Sequence, residues 1–118
     1  MNIEELREYC IGKPHVEETF PFDEETLVFK VGGKMFLLVG IHETPVQFNV
    51  KCDPEKAIEL RGQYTCVQPG YHMSKKHWNT ITCEKGISKK LLHEWIDDSY
   101  KLVVESLPKK EQEKFKGL

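Results

Sequence analysis

Residues 27–41 read LVFKVGGKMFLLVGI, and the fold turns on how they are parsed. Leu27, Phe29 and Val31 alternate with Val28 and Lys30, a period of two that belongs to a strand. Gly32-Gly33 then supplies two residues that accept positive φ, as a two-residue hairpin loop requires. Met35–Ile41 is the return strand. It is apolar at nearly every position, which predicts a central place in the sheet.

Working outward, VQFNV (Val46–Val50) alternates cleanly and is another strand, and Val16–Phe20 pairs on the far side. That makes a four-strand antiparallel meander. Before it, Asn2-Ile3-Glu4-Glu5 fits a capping box, with Ile3, Leu6, Tyr9 and Cys10 at helical spacing until Gly12 and Pro14. After it, Asp53-Pro54 opens a second helix that runs to Gly62: Asp caps free N–H groups and Pro suits the first turn. Thr65–Gln68 and Trp78–Cys83 read as a second hairpin, with Pro69-Gly70 at the centre of a type II turn and residues 69–77 as a long tip. Ser88 caps a last helix whose buried stripe is Leu91, Leu92, Trp95, Ile96, Ser99, Leu102, Val103 and Leu107. Pro108 begins a charged tail that reads as a frayed helical turn. The order predicts an α+β domain spanning residues 1–118, an antiparallel β-sheet with helices packed on one face.

A chain of 118 residues with 39% hydrophobic and 31% charged residues suits one globular domain without staples. No apolar run is long enough to span a membrane, and the acidic, amphipathic MNIEELREYC does not read as an export signal. We therefore expect a cytoplasmic protein in which Cys10, Cys52, Cys66 and Cys83 are free, mostly buried thiols. The net charge of −2 hides an asymmetry. Residues 1–30 hold eight acids against three bases, whereas residues 68–93 hold five Lys and three His against Glu84 alone.

That second segment carries the candidate chemistry. A hairpin tip bearing His72, Lys75, Lys76 and His77 presents cations that can pair with phosphates. Tyr71 and Trp78 flank it and are either base-stacking platforms or core residues that close the sheet. Asn79 can read a base edge if it points outward. Lys89 and Lys90 occupy the first turn of the last helix, where cations oppose the helix dipole at a cost of about 0.3–1 kcal/mol. If that helix start lies beside the tip, Lys75, Lys76, Lys89 and Lys90 form one anion patch, helped by free helix N–H groups. Cys66, His72, His77 and Cys83 match no zinc-finger spacing, so no metal is expected. No nucleophile motif surrounds the cysteines and no glycine loop cradles phosphate, so neither catalysis nor a cofactor is expected.

The segment PGYHMSKKHWNTI (Pro69–Ile81) closely resembles the signature of the MmcQ/YjbR family. Glu17-Glu18-Thr19-Phe20-Pro21-Phe22, Lys30–Phe36 (KVGGKMF) and the Asp53-Pro54 helix start are similar to it too. The resemblance implies a compact α+β domain of the CyaY-like (frataxin-like) fold, and DNA binding through a double-wing arrangement. Two functions follow. One is weak, largely non-specific DNA binding through Lys75, Lys76, Lys89 and Lys90, assisted by His72, His77 and Asn79. The other is a protein- or small-ligand-binding domain in which the PGYHM…HWN segment is structural or lines a pocket. In a variant of the second, the N-terminal acids form an iron-holding face, by analogy of fold alone.

Overall fold

A computed structural model describes residues 1–71 and 73–116. The capping box forms as predicted: the Asn2 side chain accepts the Glu5 N–H at 2.8 Å, and the Glu5 carboxylate accepts the Asn2 N–H at 3.3 Å. It starts α1 (Ile3–Ile11), followed by β1 (Val16–Thr19), β2 (Thr26–Val31), β3 (Lys34–Gly40) and β4 (Gln47–Lys51). Then come α2 (Pro54–Gln63), β5 (Val67–Pro69), β6 (Trp78–Thr82) and α3 (Lys89–Glu105). The tail forms a short α4 (Lys109–Gln112) and a 3-10 turn at Glu113–Phe115.

All strands pair antiparallel in one sheet of order β1-β2-β3-β4-β6-β5. The meander is as read from the sequence, and the second hairpin adds to it through β6 beside β4, leaving β5 at the edge. Gly32 and Gly33 both take positive φ, 59° and 79°, and close the β2–β3 hairpin. Gly32 answers a second demand: a Cβ there would stand 2.6 Å from a Leu107 methyl carbon, so the turn packs directly on Leu107, two residues beyond α3.

One sheet face is covered by α1, α2 and α3. Leu6, Cys10, Ala57, Leu60, Leu92, Trp95, Ile96 and Val103 from the helices pack with the inward residues of the strands, such as Phe29, Val39, Phe48 and Ile81. α1 is held to α3 by the Tyr9 ring stacked on His93 at 3.7 Å and by the Tyr9 hydroxyl donating to Asp97 at 2.6 Å. On the other face lies a smaller cluster of Val28, Leu38 and Trp78, with Met35 and Met73 against it.

Strand β3 is apolar on both faces because it is central, and also because it carries a bulge. The β2–β3 register passes from Phe29↔Leu37 to Lys30↔Met35, leaving Phe36 as the extra residue. Phe36 and Leu37 are therefore both buried among the helices. The β3–β4 ladder runs only as far as Leu37↔Val50. Beyond it, the fully buried Ser99 hydroxyl of α3 accepts the Lys51 N–H at 2.8 Å and donates to the Phe36 carbonyl at 2.6 Å.

Ser99→Ala leaves both of these backbone groups unsatisfied, and we expect it to lower stability by about 1–3 kcal/mol. Urea unfolding measures this; a midpoint equal to that of the parent chain rules out the bridging role.

Candidate binding site on the uncovered sheet face

The β5–β6 connection decides what the site can be. The sequence predicts a Pro69-Gly70 type II turn and a tip that projects. Instead Pro69 ends β5, Gly70 does not take positive φ, and the Gly70 N–H continues the ladder to the Trp78 carbonyl at 2.9 Å. Gly70 is required for room rather than for dihedral freedom: a Cβ there would meet the Trp78 Cβ at 2.8 Å. The segment then folds back over the sheet. The Tyr71 N–H donates to the Thr80 hydroxyl at 3.0 Å, and Met73 packs on the Val28–Leu38–Trp78 cluster.

Asn79 and Arg61 pin this arrangement from the helical side. Asn79 is only 1% exposed; it accepts from Arg61 Nε at 2.7 Å and donates to the Ala57 carbonyl at 3.4 Å. Its expected role as a base reader is therefore corrected, because β6 alternation turns it into the core against α2. The Arg61 guanidinium also donates to the Lys75 and Trp78 carbonyls. Trp78 is 9% exposed and belongs to the small cluster, so it is packing and not a stacking platform. Lys75, Lys76 and His77 are exposed, and the Lys75 ammonium lies 3.4 Å from the Gly70 carbonyl. His72, also assigned to the tip, lies outside the described residues.

The expected four-lysine patch does not form. Lys75 and Lys76 precede β6, whereas Lys89 and Lys90 follow it, so the pairs sit at opposite ends of a strand about 14 Å long. Lys89 is ion-paired with Glu5 of α1, an acid at its helix start that offsets the unfavourable cation. A different grouping appears at the tip end. Lys30 and Lys51 point from the uncovered face there, opposite Met35 and Trp78 respectively. Among the described residues, none of Lys30, Lys51, Lys75 and Lys76 joins an ion pair.

Between that end and the loops at the other lies a groove of about 470 Å³ on the uncovered face. Leu38 and Met73 give it an apolar floor; Asn49, Gln47 and Thr80 give it polar groups; Phe22 and Tyr71, 63% and 70% exposed, stand at its sides. Thr80 donates to Asn49 Oδ1 at 2.5 Å across the β4–β6 pair, so these two side chains hold each other in place. Sequence reading found Tyr71 and Met73 as one of two alternatives and Asp23 only among the N-terminal acids that could hold a cation, but missed Phe22, Glu43, Gln47, Asn49 and Thr80. The alternation of Gln47, Asn49 and Lys51 outward along β4 was a usable signal. For the loop residues none exists, because only folding brings 22–23 and 43 beside 71–73.

The remaining candidates disperse. The hairpin separates Cys66 and Cys83 at one end from His77 at the other, and among the described residues no three metal-ligating side chains gather. Glu18 pairs with Arg7, and Asp23 accepts the Glu25 and Thr26 N–H groups, which hold its carboxyl below the usual range. Burial raises the thiol pKa of all four cysteines, that of Cys10 to about 12, so none is a ready thiolate.

The whole layout recurs in known proteins. The YjbR family model matches residues 11–102. The chain belongs to the YjbR family. The match spans every strand, all of α2 and most of α3, so the groove and the pinned segment lie within the family region. YbdF of Escherichia coli O157:H7 is 39% identical over 94% of this chain and 91% of its own length. YjbR of Escherichia coli K12 is 31% identical over 95% of both. A crystal structure of a Deinococcus radiodurans protein with the domain DUF419 superposes with a TM-score of 0.90 at 42% identity, covering 95% of this chain and 86% of that one.

Because Arg61 holds the segment through three acceptors, Arg61→Ala should loosen it without unfolding the sheet. We expect amide exchange at Gly70 and Trp78 to quicken by about tenfold or more, as loss of a charged hydrogen bond worth ~1.5–3 kcal/mol implies. Exchange at Val50 and Phe29 should stay slow. Equal acceleration everywhere counts against local pinning.

Proposed function

We propose that this domain is a non-enzymatic binding module that holds a small organic molecule in the groove on its uncovered sheet face. The observation that carries this is the placement of Tyr71 and Met73. The Tyr71 N–H is bonded to Thr80 of the sheet, Met73 packs on the Val28–Leu38–Trp78 cluster, and both residues line the groove. The volume falls within the roughly 300–1,000 Å³ of small-molecule sites, and the lining has their usual mixture of apolar surface and a few placed polar groups. We place the protein in the cytoplasm, where its four thiols stay reduced. The helix–sheet layering supports a likeness to CyaY-type domains, but no site is carried over from it.

A ligand that binds only the folded state raises the melting temperature in proportion to its occupancy. A metabolite library screened by thermal shift should therefore yield hits whose NMR shift changes fall on Asn49, Thr80 and Met73. Gln47→Trp fills the groove from an exposed strand position that tolerates an aromatic, and it should abolish the response while preserving the fold. Hits that survive Gln47→Trp unchanged rule the groove out.

One observation supports a second reading. Lys30, Lys51, Lys75 and Lys76 share one end of the sheet and join no ion pair among the described residues, which suits weak, largely non-specific contact with DNA phosphates. About three to four phosphate contacts would give a log–log salt slope of roughly −3 for duplex DNA. Lys75→Ala with Lys76→Ala should flatten that slope, while Lys89→Ala with Lys90→Ala should leave it unchanged. No binding at low salt retires this reading and leaves the first intact.

A further inference from the structure

The groove's charge is one-sided. Among the described residues that line it, Asp23 and Glu43 are the charged ones, and neither Lys nor Arg takes part. Asp23 is largely engaged by the N–H groups of Glu25 and Thr26 and by the Thr26 hydroxyl. Glu43 joins no ion pair among the described residues, and its side chain lies against Gly40: a Cβ there would stand 3.1 Å from the Glu43 carboxyl carbon. Glycine at position 40 therefore leaves the space in which the Glu43 carboxylate lies along the groove. Two exposed aromatic rings, Phe22 and Tyr71, line the same groove, and aromatic faces attract cations.

A carboxylate with room to accept, aromatic faces and an apolar floor together favour a positive group on a hydrophobic body. A carboxylate or phosphate ligand would meet two like charges and no counter-charge. Resting on the groove reading above, we infer that the groove takes an organic cation: a protonated amine carried on an aryl or branched alkyl body. The ammonium lies against Glu43, and the body lies over Leu38 and Met73, beside Phe22 and Tyr71. The basic residues Lys30 and Lys51 project from the same face at its other end, so they repel the amine from any alternative site there.

Three probes that share one aryl body separate charge from shape: phenethylamine, 2-phenylethanol and phenylacetate. Each is titrated into the full chain and followed by amide NMR at Gly40, Asn49 and Thr80. Phenethylamine should bind about fivefold or more tighter than the alcohol, as one charge-assisted contact implies, and phenylacetate should bind weakest. Glu43→Gln should bring the amine to the affinity of the alcohol, and Glu43→Lys should reverse the order of amine and carboxylate. Glu43 is exposed, so both variants should fold, and far-UV circular dichroism checks this. Equal affinity for amine and alcohol, or no change on Glu43→Gln, overturns the cation assignment and leaves the groove reading standing. Silence toward all three probes also overturns it; the library screen with Gln47→Trp then decides separately whether the groove binds anything.

Discussion

The structure depends on one buried hydroxyl. Phe36 is an extra residue in β3, and an extra residue breaks the ladder on which a sheet relies. Two backbone groups, the Phe36 carbonyl and the Lys51 N–H, are left facing a gap beneath α3. Ser99 of α3 fills that gap with a group that is both donor and acceptor. The cost of the bulge is thereby converted into a bond between the sheet and its longest helix. In return, two consecutive side chains, Phe36 and Leu37, enter the same core. The strand then resumes its alternation, so that Leu38 reaches the uncovered face and floors the groove. Without the bulge, every residue of β3 beyond it would exchange faces.

The second constraint is strand length. β6 sets how far apart the two ends of the sheet lie, and the charges divide accordingly. The tip end gathers Lys30, Lys51, Lys75 and Lys76, whereas the other end carries Asp23, Glu24, Glu25 and Glu43 in its loops. A net charge of −2 thus describes neither end. One face holds a basic end and an acidic end with an apolar floor between them. Such a surface suits ligands by the sign of their charge, with different ligand classes at its two ends.

Most of the fold was legible because its elements are periodic and capped. Asn2, Asp53 and Ser88 each mark a helix start, and each accepts a backbone N–H as that reading requires. The Gly32-Gly33 turn was equally plain. Pro69-Gly70 misled because the dipeptide has two physical uses: positive φ in a turn, or an absent Cβ where another chain segment presses close. Only the second operates here, and it depends on Trp78, a residue that local reading does not connect to Gly70. Lys89 and Lys90 misled for a similar reason. The unfavourable place of Lys89 at a helix start is compensated by Glu5, which is distant in sequence and adjacent in space. The groove residues were the least legible, since Phe22, Glu43 and Tyr71 come from separate connections.

Asn79 shows how a signature-like stretch can be structural and still matter for binding. It lies in the core, where an amide needs partners to repay its desolvation. Arg61 and the Ala57 carbonyl supply them, and Arg61 in turn reaches the carbonyls of Lys75 and Trp78. The outcome is that the backbone at Lys75 and Trp78 is held by the fold before any ligand arrives. A flexible tip would have to be ordered on binding, and that conformational entropy would be subtracted from affinity. Here the ordering is done by folding. Asn79, turned inward, thus helps set the shape of the wall, whereas Lys76 and His77 are exposed beside it.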